Sequence, residues 1–328
     1  MFRIVSILGA LALLAAAPAA AQPSREAAMF GARESASSVE LSPSGRYLVF
    51  IAPAAGASSV AVIADLQSSA QARPILRSSG NPDHLQWCRF ASDSRLICSI
   101  RGVAEVTGVE VPYSRLVVID SDGSNLRQLG QRPSAYDTRL RQFDGAILDW
   151  LPDDGRAVLM AREYVPEGEL TGSRMSRRLE GLGVDRIDLE TLRATQVLAP
   201  DRRASGYLTD GRGNVRIMRL ARTDGDGQAS SRTDYQYRGE SGGWRAFSSY
   251  DSGSREGMIP IAVDGASNSA YVLRKLGEDH PQAASLHTIV EQIDRANRLY
   301  HVEDAPGPSM RSRPSGSRTQ AAPATVMP

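Results

Sequence analysis

Apolar and polar positions alternate along most of this chain in short bursts separated by tight polar turns. In LSPSGRYLVF, Leu41 to Phe50, the turn formers Pro43, Ser44 and Gly45 feed a strand in which Tyr47, Val49 and Leu48, Phe50 fill alternate faces. Both faces are apolar, which predicts a strand buried on its two sides. A small-residue loop then leads into a second strand, VAVIADL, Val60 to Leu66.

The hairpin returns. WCRFASDSRLICSI, Trp87 to Ile100, turns at Ser92, Asp93 and Ser94, and SRLVVIDSDGSNLRQL, Ser114 to Leu129, supplies outer strands. A third copy, LDWLPDDGRAVLMA, Leu148 to Ala161, turns at Asp153, Asp154 and Gly155, with a later strand in Val184 to Leu198. The fourth is GYLTDGRGNVRIMRL, Gly206 to Leu220, followed by Asp234 to Phe247, and the fifth is IPIAVDGASNSAYVLR, Ile259 to Arg274. Measured at Ser44, Asp93, Asp154, Asp210 and Asp264, the period is about 50 to 60 residues, which suits four short strands per unit. The expected fold is therefore all-β, a β-propeller of about five recognisable blades whose ring is closed or incomplete. A sandwich is the alternative, but it gives no reason for a turn to recur at one period.

The N-terminus reads as an address. Arg3 supplies positive charge, Ile4 to Ala17 is an apolar core too short to span a membrane and stay, and Ala19, Ala20 and Ala21 precede Gln22 as a small-residue cleavage site. The expectation is a signal peptide over 1–21, cleaved near Ala21, export to a bacterial periplasm, and no membrane association after its removal. A retained anchor is the alternative. A propeller domain over 22–300 and a disordered tail over 301–328 complete the predicted organisation.

Composition adds constraints. Net charge is +1, and no Lys/Arg run with interleaved aromatics suggests nucleic acid. Lys275 is the only lysine, so the cations are almost all arginine: either guanidinium forks for carboxylates or the mark of a GC-rich genome. Cys88 and Cys98 flank the Ser92 to Ser94 turn, as a cross-strand disulfide in an oxidising compartment or as two buried thiols. His84, His280, His287 and His301 show no metal spacing, and no metal or cofactor site is expected.

One string imitates a catalytic motif. GESGG, Gly239 to Gly243, satisfies Gly-x-Ser-x-Gly and would make Ser241 a nucleophile. A nucleophile elbow needs a strand before the serine and a helix after it, whereas DYQYR and WRAF are both strand-like. The segment reads better as a Gly/Ser hairpin between blade strands, and no catalytic residue is assigned.

The stretch EGLGVDRIDLETLRATQVLAP, Glu180 to Pro200, with GYLTDGRGNVRIM, Gly206 to Met218, resembles the propeller of the prolyl oligopeptidase family, in particular exported bacterial dipeptidyl aminopeptidase-like and acylaminoacyl peptidase-like members. SPSGRYLVF and WCRFASDSRLICS match the opening blades of the same proteins, so the resemblance runs from about Phe30 to Arg274. It implies a propeller that covers an α/β-hydrolase domain and restricts access to small peptides. The family's serine, aspartate and histidine lie on that hydrolase, C-terminal to the propeller. Nothing after Arg274 offers a nucleophile elbow or alternating strands and helices, so no triad residue carries over.

Ala283 to Arg298 places Leu286, Ile289, Val290 and Ile293 at helical spacing, while a strand ending at Leu299 and Tyr300 is the alternative. From about Val302 the chain is rich in Pro, Ser, Arg and Ala and predicts disorder. Loss of the reading frame after Lys275 would give this composition; a natural tail on a stand-alone propeller is the other reading. Two functions follow as expectations: the non-catalytic, substrate-gating propeller of a periplasmic serine peptidase truncated before its hydrolase, or a stand-alone periplasmic propeller. The partner is a peptide substrate in the first and a protein or peptide in the second.

Overall fold

The computed structural model describes residues 29–69, 71–131, 133–168, 176–239 and 242–275, and the backbone of 295–301. The predicted signal peptide and the tail beyond 301 lie outside the described residues. Within them the chain forms nineteen strands in antiparallel meanders. The first blade is β1 (Ser37–Leu41), β2 (Tyr47–Pro53), β3 (Ser59–Asp65) and β4 (Arg73–Ser78); the second is β5 (His84–Ser92), β6 (Arg95–Val106), β7 (Val109–Asp120) and β8 (Arg127–Gln128). The third comprises β9 (Ala146–Asp149), β10 (Ala157–Tyr164), β11 (Gly181–Asp188) and β12 (Ala194–Asp201). The fourth comprises β13 (Ala204–Thr209), β14 (Val215–Thr223), β15 (Ala229–Arg238) and β16 (Trp244–Asp251). A fifth unit, β17 (Glu256–Asp264), β18 (Ser269–Lys275) and β19 (Arg295–His301), continues from β16 through the pairs Tyr250↔Gly257 and Asp251↔Glu256. Each recurring turn found in the sequence joins the first two strands of a unit, so the period marks blades of a propeller fold.

Alternation explains why the blades stack. Leu96 and Cys98 on β6, with Val117 and Ile119 on β7, join Val49, Ile51, Ala61 and Ile63 of the first blade in one core. The intervening Ile97, Leu116 and Val118 point the other way, to Val158, Met160 and Ile187 of the third blade. Leu159 and Ala161 then meet Tyr207, Met218 and Leu220 of the fourth. Ile217, Tyr237 and Phe247 close the series against Val263, Ala270 and Val272. A strand with period-2 side chains can serve two cores at once, and the central blades are buried on both faces for that reason.

The first blade differs from its prediction. Val49 and Ile51 are buried, but Leu48 and Phe50 on the opposite face are only half-buried, and Leu41 and Leu66 are each 55% exposed. Among the described residues the interface cores join consecutive blades, and none covers this outer face. The described blades thus form an arc.

Two other features settle open readings. Cys88 and Cys98 stand directly opposite each other on β5 and β6, fully buried, and form a disulfide with their Cα atoms 4.0 Å apart. The C-terminal alternative resolves in part: Arg295 to His301 is a strand, while Leu286, Ile289, Val290 and Ile293 lie outside the described residues. Val184 to Leu198, read as one strand, is two, because the chain turns back at Leu192, whose φ is +59°.

Candidate functional site

The first strands of the first four blades, β1, β5, β9 and β13, pair on one side only, and the first strands of the units approach one another, β1 with β5, β9 with β13, and β13 with β17, as they converge on the arc's inner side. Where the second and third blades diverge, a cleft of about 580 Å³ opens beside β1, β5 and β9. Gln86, Trp87 and Arg89 of β5 form one wall, Ala146, Ile147 and Trp150 of the third blade another, and Ser38 to Glu40 of β1 the rim. Trp87 and Trp150 touch edge to face, with ring centroids 6.3 Å apart.

Local sequence explains this placement. In β5 the residues Leu85, Cys88 and Phe90 face the first blade's core, which leaves Arg89 exposed on the cleft side. An irregularity in pairing between Leu85 and Trp87 adds Gln86 as an extra residue, so Gln86 and Trp87 both reach the cleft. Gly145 has a φ of +105°, and a Cβ there would stand 2.1 Å from the Ala161 carbonyl oxygen, so only glycine lets the chain enter β9 this close to β10.

Charge in the cleft is mixed. Glu40 contributes a carboxylate, and Arg89 and Arg101 contribute guanidiniums. Next to Gly145, Asp144 is buried and accepts hydrogen bonds from the Leu116 backbone N–H at 3.0 Å and the Gln128 amide at 3.2 Å. Burial nonetheless pushes its carboxyl above the ordinary range, with those bonds opposing. Asp144 braces the floor.

The sequence assigned no catalytic, cofactor or metal residue, and the residues weighed there are dispersed. His84 is exposed at the start of β5; His280 and His287 lie outside the described residues, and His301 is described only as backbone of β19. Ser241 is also outside them, but its flanks are clear: β15 and β16 pair through Arg238↔Trp244, and the Gly242 N–H donates to the Gly239 carbonyl at 3.0 Å. A hairpin surrounds this serine, with a strand on either side. Among the described residues no group of three or more His, Cys, Asp or Glu is placed to hold a metal ion. The cleft itself was missed, since its walls come from segments some 60 residues apart.

No protein-family profile matches this sequence, and no curated protein matches it. Solved structures do. The chain is similar to the β-propeller domain of the Trilobed protease from Pyrococcus furiosus, with 12% identity over 75% of this chain and 66% of that one, at a TM-score of 0.38. It is also similar to prolyl oligopeptidase B from Galerina marginata (9% identity, 82% of this chain and 32% of that one, TM-score 0.44) and to the acylaminoacyl peptidase of Pyrococcus horikoshii (10%, 85% and 39%, TM-score 0.42). The first is the propeller domain of a protease, and the other two are peptidases. The chain spans less than two thirds of the length of each. At such identities the likeness concerns fold, and the propeller assignment rests on the repeated meanders themselves.

Proposed function

We propose that this chain is the substrate-admitting propeller of an exported serine peptidase of the prolyl oligopeptidase kind, which holds peptide in the inner cleft and leaves cleavage to a hydrolase domain. The observation that carries this reading is the cleft beside the free edges of β1, β5 and β9. An extended peptide can add to such an edge through its own backbone N–H and C=O groups. The Trp87 and Trp150 pair offers an apolar seat for a side chain, and the cleft's Glu40 carboxylate together with its Arg89 and Arg101 guanidiniums suits the two termini of a short peptide. The signal-like N-terminus and the buried Cys88–Cys98 bridge support an oxidising, periplasmic location. The half-exposed apolar face of the first blade supports a place in a larger enzyme, where further chain would cover it.

The test uses the full chain with aminoacyl and dipeptidyl chromogenic substrates and uncleavable short peptides. The expected result is no turnover, with saturable quenching of tryptophan emission that Trp87→Phe reduces. Turnover by this chain alone, or emission that no peptide alters, overturns the proposal.

A further inference from the structure

On the far side of the 141–145 segment, whose Gly145 lines the inner cleft, Arg141 lines a second cavity of about 440 Å³. That volume lies within the ~300–1,000 Å³ of small-molecule sites. Its wall carries three guanidiniums, from Arg141, Arg162 and Arg177, against one carboxylate, Asp185. The Arg141 and Arg162 side chains are only 7% and 9% exposed, so their charges face the cavity with little water to screen them.

The arginines are held from behind. Asp137, 5% exposed, accepts from Arg177 at 2.7 Å and from Arg141 at 3.3 Å, and Glu167, 4% exposed, lies 3.2 Å from Arg177. Glu167 is itself fixed by the Ser134 hydroxyl at 3.1 Å, and Asp137 by the Ser134 backbone N–H at 3.0 Å. Asp185 accepts from Arg162 at 3.0 Å and from the Tyr164 hydroxyl at 2.6 Å. Arg162 and Arg141 are both ion-paired, yet each keeps a buried Nε–H with no hydrogen-bond partner. Burial, followed by the neighbouring Arg177 and Arg162 charges, pushes Arg141 below the ordinary arginine value, against the pull of Asp137. With Asp137 and Glu167 off the wall and Asp185 the one carboxylate on it, three clustered cations face the cavity and are arranged to gain from an anion there. Val165, Leu179 and Ala194 supply an apolar remainder to the wall.

We infer that this cavity binds the carboxylate of a small acid bearing an apolar substituent, with Arg141, Arg162 and Arg177 as its anion-recognising residues. Guanidiniums suit this role through their planar N–H forks. A peptide C-terminus and a free aliphatic acid share the chemistry. The site is separate from the inner cleft and does not depend on peptide binding there.

Calorimetric titration of the full chain tests this with three probes: N-acetyl-alanyl-leucine, its C-terminal amide, and 4-methylpentanoate. The dipeptide acid is expected to bind saturably, and the amide about tenfold more weakly or worse, as follows from losing a charge-assisted contact. Arg177→Gln is expected to weaken the acid by a similar factor in a chain that still folds, with a lower melting temperature because Asp137 and Glu167 lose a partner, and Arg162→Gln by more. Trp87→Phe is expected to leave the acid's affinity alone. A dipeptide acid tighter than 4-methylpentanoate assigns the site to peptide termini, and equal affinities assign it to free acids; either upholds carboxylate recognition. Equal binding of acid and amide, no saturation by either acid, or full affinity in a folded Arg177→Gln chain overturns it.

Discussion

Keeping Cys88 and Cys98 reduced perturbs the chain at a point where the cost can be worked from the structure. The bridge closes a loop with a sequence separation of 10, and both residues are fully buried in the core shared by the first two blades. Two thiols occupy nearly the same space as the disulfide, so reduction opens no large cavity there. The loss is then mainly the freedom regained by the unfolded chain, which for such a loop is about 2.7 kcal/mol. For a chain of this size that corresponds to a fall of roughly 4–5 °C in melting temperature. Because the bridge is inaccessible in the folded protein, the comparison needs chain refolded with and without reductant, with thiols titrated under denaturing conditions. Cys88→Ala/Cys98→Ala should fall further, since it also removes two buried sulfurs. Equal melting temperatures with the bridge formed, or two free thiols in the chain refolded without reductant, would overturn this role for the bridge.

Two further perturbations probe the blades. Gly257→Ala, at φ +101° where a Cβ would stand 1.9 Å from the Ser249 carbonyl oxygen, should cost more than Gly45→Ala, where φ is +73° but nothing lies within 4 Å. The second carries only backbone strain, about 1–3 kcal/mol, and equal losses in denaturant titrations would contradict the description of the link between the fourth and fifth units. Acid should destabilise the turns. The Thr191 backbone N–H and hydroxyl hold the Asp188 carboxyl below its ordinary value, and neighbouring donors do the same for Asp251 and Asp264. A carboxyl depressed in the folded state stabilises fully above its unfolded value near ~3.9 and loses that contribution as pH falls through the folded one. Melting temperature should therefore hold at neutral pH and decline below about 4, and Asp188→Asn should lower the neutral value while flattening the decline.

Much of the scaffold was legible because each blade begins with a turn that needs small or φ-positive residues. Gly45, Gly155 and Gly211 all sit at positive φ in such turns, and Asn268 does so in the fifth. Those residues repeat in sequence, so the blades could be counted. Opposition of Cys88 and Cys98 followed from the centre of one hairpin. Other features depend on distant segments. The half-exposed face of Leu48 and Phe50 was hidden, since apolar alternation on both faces says that a strand can be covered and not what covers it. Arg141, Arg162 and Arg177 come from a loop, from β10 and from the approach to β11, and in a chain whose cations are almost all arginine nothing distinguishes them by type. Only the fold brings them together.

Hydrogen exchange with and without a saturating uncleavable peptide reports which strand edges the peptide covers. Peptide held in the inner cleft adds protection in β1, β5 and β9, around Ser37–Leu41, His84–Ser92 and Ala146–Asp149, and leaves the outer strands β4 and β12 unchanged. Protection confined to those outer strands, or none at saturation, would contradict it.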